Sequence, residues 1–120
     1  MKYPLFVAFV FFLASCTSGL KIVPYSSFGN DAVQYYTLNV QNIDLSQGFQ
    51  EEDKTTIQEH GVKQARENVP TAVFYFDGNA PNINNAIGGL DATQIIQAAK
   101  PIAVVWITAD GEIQFIQHPR

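Results

Sequence analysis

Two stretches of the chain carry hydrophobic patterns that are typical of β-strands. Along residues 32–43 (AVQYYTLNVQNI), apolar and polar positions alternate, and Tyr36, Leu38 and Val40 fall on the same side. This period of two, together with the β-favouring residue types, predicts a strand with one buried face. Residues 71–76 (TAVFYF) are apolar on both sides, which predicts a central strand that is covered on both faces.

A hairpin is predicted at the C-terminal end. Residues 102–108 (IAVVWIT) form another apolar strand in the pattern, and residues 113–118 (IQFIQH) form a more polar one. Between them stands Asp110, followed by glycine, which is the sequence of a two-residue type I′ turn. That turn would place Trp106 directly opposite Phe115 on one face of the hairpin.

Two helices are predicted between the strands. Residues 44–68 are mostly helical in character, with a break near Gly61, and residues 90–100 form a shorter helix that ends at a proline. Asp44 and Asp91 are each followed by glutamine three positions later. This spacing predicts a capping box at the start of each helix.

The predicted order of elements is β-α-β-α-β-β, which indicates a small α+β domain over residues 32–120. Its mixed β-sheet would carry two helices and end in a hairpin. The order resembles the thioredoxin-like core, and Pro101 stands before the penultimate strand, where that family keeps a cis-proline. Residues 42–46 lack the paired cysteines that the family places after its first strand, so a thioredoxin-like domain here would be redox-inactive. A different small α+β sandwich fits the same order.

The first residues have the composition of an export signal. Lys2 supplies positive charge, and residues 4–14 are almost wholly apolar and uncharged. This run is shorter than the ~20 residues that a membrane-spanning helix needs. Small and polar residues follow it at positions 15–19, without a basic stop-transfer cluster.

The sequence Leu13-Ala14-Ser15-Cys16 resembles the lipobox of bacterial lipoproteins. The resemblance covers only the processing signal. It implies that residues 1–15 are removed by cleavage between Ser15 and Cys16, and that the Cys16 sulfur carries a diacylglycerol, usually with an acylated amine beside it. Residues 16–31 would then be a lipidated tether. The alternative is a secretory signal in which Cys16 is an ordinary residue near the cut.

The residue after the cysteine indicates which of the two bacterial membranes would hold the lipid anchor. In well-studied Gram-negative lipoproteins an aspartate at that position favours retention at the inner membrane, and this chain has Thr17. The resemblance therefore implies the outer membrane, with the domain facing the periplasm.

Charge and cysteine content further limit the possible partners and the possible sources of stability. Removing residues 1–15 from the 120 takes away Lys2 and leaves 105 residues, with six Lys and Arg against eleven Asp and Glu, a net charge of −5. This acidic balance argues against nucleic acid as a partner, since phosphates require a basic surface. Cys16 is the only cysteine, so no disulfide can form within the chain and the domain must be stable by packing.

One loop is a candidate partner-binding or ligand-binding site. Residues 77–89 (DGNAPNINNAIGG) are rich in Asn, Gly and Pro, and they form a long connection after the predicted central strand. Its side-chain oxygens come from Asp77, Asn79, Asn82 and Asn84. Oxygen donors at alternate positions suit calcium, but an intruding proline and the lack of a closing glutamate argue against a calcium loop.

No catalytic constellation, cofactor motif or metal-ligand spacing is present in the sequence. The two histidines, His60 and His118, are far apart and are expected to be solvated. We therefore predict a non-enzymatic, lipid-anchored protein that binds another envelope protein, as an accessory or assembly factor of an envelope machine. The alternatives are a small-ligand or ion-binding lipoprotein that uses residues 77–89, and an exclusion or immunity lipoprotein.

Overall fold

A computed structural model describes residues 19–117. In this part of the chain, five strands and two helices form an α+β domain, which confirms the predicted mixed sheet, the two helices and the C-terminal hairpin. The elements are β1 (Lys21–Gly29), β2 (Gln34–Gln41), α1 (Glu51–Val62), β3 (Thr71–Phe76), α2 (Gly89–Ala99), β4 (Ala103–Ile107) and β5 (Ile113–Gln117).

The strands lie in the sheet in the same order as in the sequence, from β1 to β5. Strands β2 and β3 are parallel, with Gln34 opposite Thr71, whereas the other three neighbouring pairs are antiparallel. The parallel pair is the one that α1 connects, because parallel neighbours need a crossover connection whereas antiparallel neighbours can be joined by a short turn.

The helices cover opposite faces of the sheet. Successive side chains of β3 point to alternate faces, so Val73 and Tyr75 lie in one buried cluster with Ile57 of α1. Phe76 lies in a second cluster on the other face, with Ile96 of α2. Five of the six residues of β3 are buried, as expected for a strand that is apolar on both sides.

Strand β1 lies within residues 16–31, which were predicted to form a lipidated tether, so residues 21–29 of that stretch belong to the sheet. Residues 21–29 pair with β2 along almost their whole length, with a register shift between Pro24 and Ser26. Ser26 is buried, and its hydroxyl lies 2.5 Å from the hydroxyl of Thr37 in β2. The described domain therefore begins with β1 rather than at residue 32, because hydroxyl groups join this polar segment to the sheet.

The register of the C-terminal hairpin differs from the prediction by one residue. Trp106 is opposite Gln114, and Phe115 is opposite Val105, so Trp106 and Phe115 lie on opposite faces. The loop has three residues instead of two: the Thr108 amide donates to the Glu112 carbonyl at 2.9 Å, and the Gly111 amide donates to the Thr108 carbonyl at 3.0 Å. Gly111 has φ +95°, as expected for a three-residue loop that ends in a left-handed residue.

The helix starts also differ from the predictions. Helix α1 begins at Glu51, and Asp44 accepts a hydrogen bond from the Ser46 amide in the preceding turn. Helix α2 is preceded by Gly88 at the N-cap, so Asp91 lies inside its first turn. The Asp91 carboxylate accepts from the Ile87 amide at 3.0 Å, which satisfies an amide just before the helix.

The peptide bond before Pro101 is trans, since no cis peptide bond occurs in residues 19–117. The cis-proline that a thioredoxin-like core would have at this position is therefore not found.

Candidate functional site

The predicted lipidation site lies outside the described residues. Ser15, Cys16 and the apolar signal all precede Gly19, the first residue that the structure describes. Cleavage and lipidation therefore remain predictions from the sequence. Of the helices in residues 19–117, neither is long and apolar enough to cross a membrane.

The asparagines of the predicted binding loop, residues 77–89, form hydrogen bonds with the protein itself. The Asn79 side chain donates to the Ala99 carbonyl at 2.8 Å, which joins the loop to the end of α2. The Asn84 side chain accepts from the Ser27 amide of β1 at 3.0 Å. The Asn82 side chain accepts from the Asn84 amide at 2.9 Å within the loop. These three side chains thus hold the loop in place at different points, and Asp77 is exposed where the loop begins.

A buried hydroxyl pair fixes the middle of the same loop. The Pro81 carbonyl oxygen lies 2.9 Å from the hydroxyl of Ser26 and 3.1 Å from that of Thr37. Because each hydroxyl has one hydrogen and the two are also in contact with each other, one donates to the other and the second donates to this carbonyl. The Ile83 amide in turn donates to the Ser26 hydroxyl at 3.0 Å, and the Ile83 side chain is fully buried. This network satisfies backbone groups that would otherwise be buried without partners, so the loop is an ordered part of the domain.

The end of this ordered loop exposes two large apolar side chains, Ile87 and Leu90, which we call the apolar tip. Ile87 is 93% exposed and Leu90 is 73% exposed, the two highest values among the large hydrophobic residues that the structure describes. The hydrogen bond from the Ile87 amide to Asp91 fixes the backbone at this point. Two such exposed apolar side chains, three residues apart on a fixed backbone, make the apolar tip a candidate surface for contact with another molecule.

The apolar tip lies at the end of the sheet that is farthest from the start of β1. A Cβ atom added at Gly89 would lie 3.8 Å from the Val33 side chain, so the tip is beside the turn between β1 and β2. Lys21 is at the opposite end of β1, eight residues before Gly29. At about 3.3 Å per residue, this separation along the strand is about 26 Å.

His60 is joined to the core, which corrects the expectation that it is solvated. Its Nδ1 atom lies 2.9 Å from the hydroxyl of Tyr75, whose side chain is fully buried. Burial lowers the pKa of His60, and the nearby Lys63 lowers it further. Burial also raises the pKa of the Tyr75 phenol. The pair connects α1 to β3, and no sequence pattern indicated it because 15 residues separate the two side chains.

An acidic depression lies where the chain enters α1. Asp53 is only 7% exposed, and burial, together with the neighbouring Glu52, raises the pKa of its carboxyl group. The other lining residues are Asn42, Asp44, Ser46, Gln47 and Gln50. Among residues 19–117, no group of three or more His, Cys, Asp or Glu side chains is arranged to hold a metal ion.

Comparison with protein-family profiles, curated proteins and solved structures finds no match for this chain. The lipobox-like sequence before the domain and the apolar tip on the domain are the features of this chain that bear on its function.

Proposed function

We propose that the protein is a bacterial lipoprotein whose domain is held at the membrane by lipid on Cys16 and binds another envelope protein. The sequence Leu13-Ala14-Ser15-Cys16, directly after an uncharged apolar run, is the observation that carries this proposal. Two or three acyl chains anchor a protein stably, whereas one gives only marginal binding. The role would be that of an accessory or assembly factor in an envelope machine.

The apolar tip is the surface that we assign to the partner. Because the lipid would be attached five residues before Lys21, it joins the domain at the end of β1 remote from the tip. The tip therefore lies at the end of the domain away from the bilayer, where Ile87 and Leu90 can contact another envelope protein more readily than they can contact lipid. We expect the partner to offer an apolar pocket that accepts these two side chains.

Metabolic labelling tests the anchor. Cells that express the full chain are fed an alkyne analogue of palmitate, and the labelled protein is detected after coupling to a dye. We expect Cys16→Ala to abolish labelling, whereas Thr17→Ala, one residue away, retains it. Mass spectrometry of the mature N-terminus should show acylated Cys16, and density fractionation should place the protein in the outer membrane. An unmodified Cys16 thiol would contradict the proposal.

Site-specific photo-crosslinking tests the partner surface. A photoreactive amino acid replaces Ile87 in the full chain, and a matched control replaces Val62, which is exposed at the end of α1. We expect a discrete adduct with one envelope protein from position 87 and none from position 62. The double substitution Ile87→Ser and Leu90→Ser should abolish co-purification of that protein. Equal adducts from both positions would argue against the tip as the partner surface.

The alternative function, ion binding by residues 77–89, can be tested separately by calcium titration. The side chains of Asn79, Asn82 and Asn84 already form hydrogen bonds with the chain, which favours protein binding over cation binding. Calcium-dependent chemical-shift changes confined to residues 77–89 would support the alternative, and flat titrations would remove it.

A further inference from the structure

A buried carboxylate lies in the first turn of α1 without a partner. Asp53 is only 7% exposed, and within residues 19–117 its side chain forms neither a hydrogen bond nor an ion pair. The ion pair of this turn joins Lys54 to the exposed Glu51, at 3.5 Å. A buried charge costs free energy unless a hydrogen bond or an opposite charge compensates it. Asp53 is therefore free to accept hydrogen bonds from a bound molecule.

Asp53 lines the acidic depression together with two further carboxylates, those of Asp44 and Glu52. Hydrogen bonding from Ser46 lowers the pKa of Asp44. In contrast, burial raises the pKa of Asp53, and the neighbouring Glu52 raises it further. Asp44 thus has a partner within the chain that stabilises its negative charge. Asp53 lacks the compensation that a nearby positive charge would supply.

The lining of the depression suits a ligand that is positively charged and donates hydrogen bonds. Apart from the three carboxylates, the lining residues in the described part of the chain carry amide or hydroxyl side chains: Asn42, Ser46, Gln47 and Gln50. All of these side chains have oxygen atoms that accept hydrogen bonds. Three carboxylates also outweigh the roughly half positive charge at the N-terminus of a helix. The volume of the depression, about 320 Å³, is enough for a small ligand.

The same lining distinguishes between kinds of cation. A divalent metal ion requires several oxygen ligands at short, fixed distances, and among residues 19–117 no group of three or more His, Cys, Asp or Glu side chains is arranged to hold one. A quaternary ammonium group has no N–H and is typically held by aromatic rings, which the described lining residues lack. A primary ammonium group donates three hydrogen bonds and accepts none, which matches a lining of carboxylate, amide and hydroxyl oxygens.

We propose that the acidic depression binds a primary ammonium group, with Asp53 as its ion-pair partner. Asn42 of the lining follows the last residue of β2, Gln41, which is opposite Lys21 at the start of β1. The depression therefore lies at the end of the sheet remote from the apolar tip, and its ligand does not compete with the envelope partner. A soluble amine and an amine-bearing lipid headgroup share this chemistry. Binding does not depend on the lipid at Cys16.

Titration of the full chain with ethylammonium, in a neutral detergent, tests the site through amide chemical shifts. We expect saturable changes confined to residues 42–53, with a Kd on the order of millimolar for so small a ligand. Tetramethylammonium has the same charge without N–H donors and should give no saturable change. Equal binding of the two cations would overturn the proposal, because it would indicate attraction by charge alone. A parent chain without saturable changes would also overturn it.

Two substitutions in the first turn of α1 separate ligand binding from a structural role of negative charge. Asp53→Asn removes the proposed ion-pair partner with little change in shape, whereas Glu51→Gln removes an exposed charge of the same turn. We expect Asp53→Asn to weaken ethylammonium binding about tenfold or more, and Glu51→Gln to weaken it less than about twofold. Equal weakening by both would overturn the proposal. Without ligand, Asp53→Asn should unfold at no lower a urea concentration than the parent, because it removes an unpaired buried charge. A destabilised Asp53→Asn variant that binds ethylammonium as the parent does would assign Asp53 a structural role and overturn the proposal.

Lipid nanodiscs distinguish the two sources of the ammonium group. The full chain is placed in discs whose lipids carry either ethanolamine or choline headgroups, without a soluble amine. Shift changes at residues 42–53 in the ethanolamine discs, relative to the choline discs, would support binding of a lipid headgroup. Identical spectra in the two discs, with saturable changes when ethylammonium is added to either, would support a soluble amine. Absence of both responses would overturn the proposal, whatever the state of Cys16.

Discussion

The phenol of Tyr75 lies between two groups of helix α1, 2.9 Å from the Nδ1 atom of His60 and 3.3 Å from the carbonyl oxygen of Ile57. One buried hydroxyl thus joins the helix to the central strand β3. Since burial lowers the pKa of His60 and Tyr75 is fully buried, we expect this contact to make the stability of the domain depend on pH.

We expect the free energy of unfolding to fall as the pH is lowered from about 7 to 5. Burial lowers the pKa of His60 in the folded protein, so the unfolded chain binds more protons between that pKa and the ordinary value of about 6.5. Stability therefore increases with pH in this window, by at most about 1.4 kcal/mol per pH unit for a single group. Denaturant unfolding at several pH values measures the slope.

The two histidines provide a matched comparison for this slope. His60→Gln should flatten the dependence of stability on pH between 5 and 7. His118→Gln, at the other histidine of the chain, should retain it. An unchanged slope in His60→Gln would show that His60 is not the titrating group.

Removing the Tyr75 hydroxyl should destabilise the domain. Tyr75→Phe leaves the Ile57 carbonyl and the His60 ring without this partner in a buried setting, which should cost about 1–3 kcal/mol. Tyr25→Phe is the control, since Tyr25 is 52% exposed and should change stability by less than about 0.5 kcal/mol. Equal effects in thermal or denaturant unfolding would contradict the role of the buried hydroxyl.

Gly61 should not tolerate alanine, although it lies within a helix. A Cβ atom at this position would lie 2.6 Å from Cβ of Val105, so α1 approaches β4 too closely for a side chain. Alanine normally stabilises a helix by about 1 kcal/mol relative to glycine. We expect Gly61→Ala instead to destabilise the fold by about 1–3 kcal/mol, because the core must shift.

Gly88→Ala is the matched control for that substitution. Gly88 has an extended backbone and no atoms within 4 Å of an added Cβ, so alanine fits without displacement. Urea unfolding of both variants measures the difference. A more stable Gly61→Ala variant would mean that the helix can move away from Val105 at little cost.

Ser26→Ala should loosen the 77–89 loop. It removes the acceptor of the buried Ile83 amide and one of the two hydroxyls beside the Pro81 carbonyl, which should cost about 1–3 kcal/mol. Hydrogen exchange of the Ile83 amide should become faster than in the parent. Ser27→Ala changes an exposed side chain on the same strand and should leave that exchange rate unchanged; comparable acceleration in both would argue against the network.

Much of the fold could be predicted because several elements carry local signals. After Thr71, strand β3 carries only apolar and aromatic residues on both of its sides, and this pattern indicates burial on both faces. Strand β1 lacked such a signal, because a segment with Pro24, Ser26 and Ser27 has the composition of a loop. Only in the folded chain do the buried hydroxyls of Ser26 and Thr37 come into contact. The pairing that makes this segment a strand depends on a residue 11 positions away.

The predicted register of the β4–β5 hairpin was wrong for a different reason. An Asp-Gly pair suits a two-residue turn, but it also suits the end of a three-residue loop, where glycine takes the left-handed conformation. The Thr108 hydroxyl, which accepts from the Glu112 amide at 2.9 Å, favours the longer loop. This choice reverses the face of every residue in β5 relative to the prediction.

The candidate site was predictable only in part. The predicted Asn-rich loop, residues 77–89, corresponds to the connection between β3 and α2, except that Gly89 begins the helix. The roles of the asparagines could not be predicted, because they depend on contacts with β1 and with the end of α2. The apolar tip was not predicted, because two glycines separate Ile87 from Leu90 and interrupt any hydrophobic period. The solvent exposure of these side chains depends on the folded structure around them, so no local sequence pattern could predict it.

The sequential order of the strands has a consequence for the folding rate. Hairpins β1–β2 and β4–β5 close short loops, whereas the parallel pair joins Gln34 to Thr71 across a much longer one. Closing a longer loop costs more conformational entropy before any contact stabilises it. The pairing of β3 with β4 is similarly long-range, with Thr71 opposite Ile107. We expect the two hairpins to form early and the pairing of β3 with its neighbours, the β2–β3 seam included, to set the rate. Until that seam closes, one edge of β3 stays unpaired, and this strand, which the folded sheet buries almost completely, remains prone to aggregation.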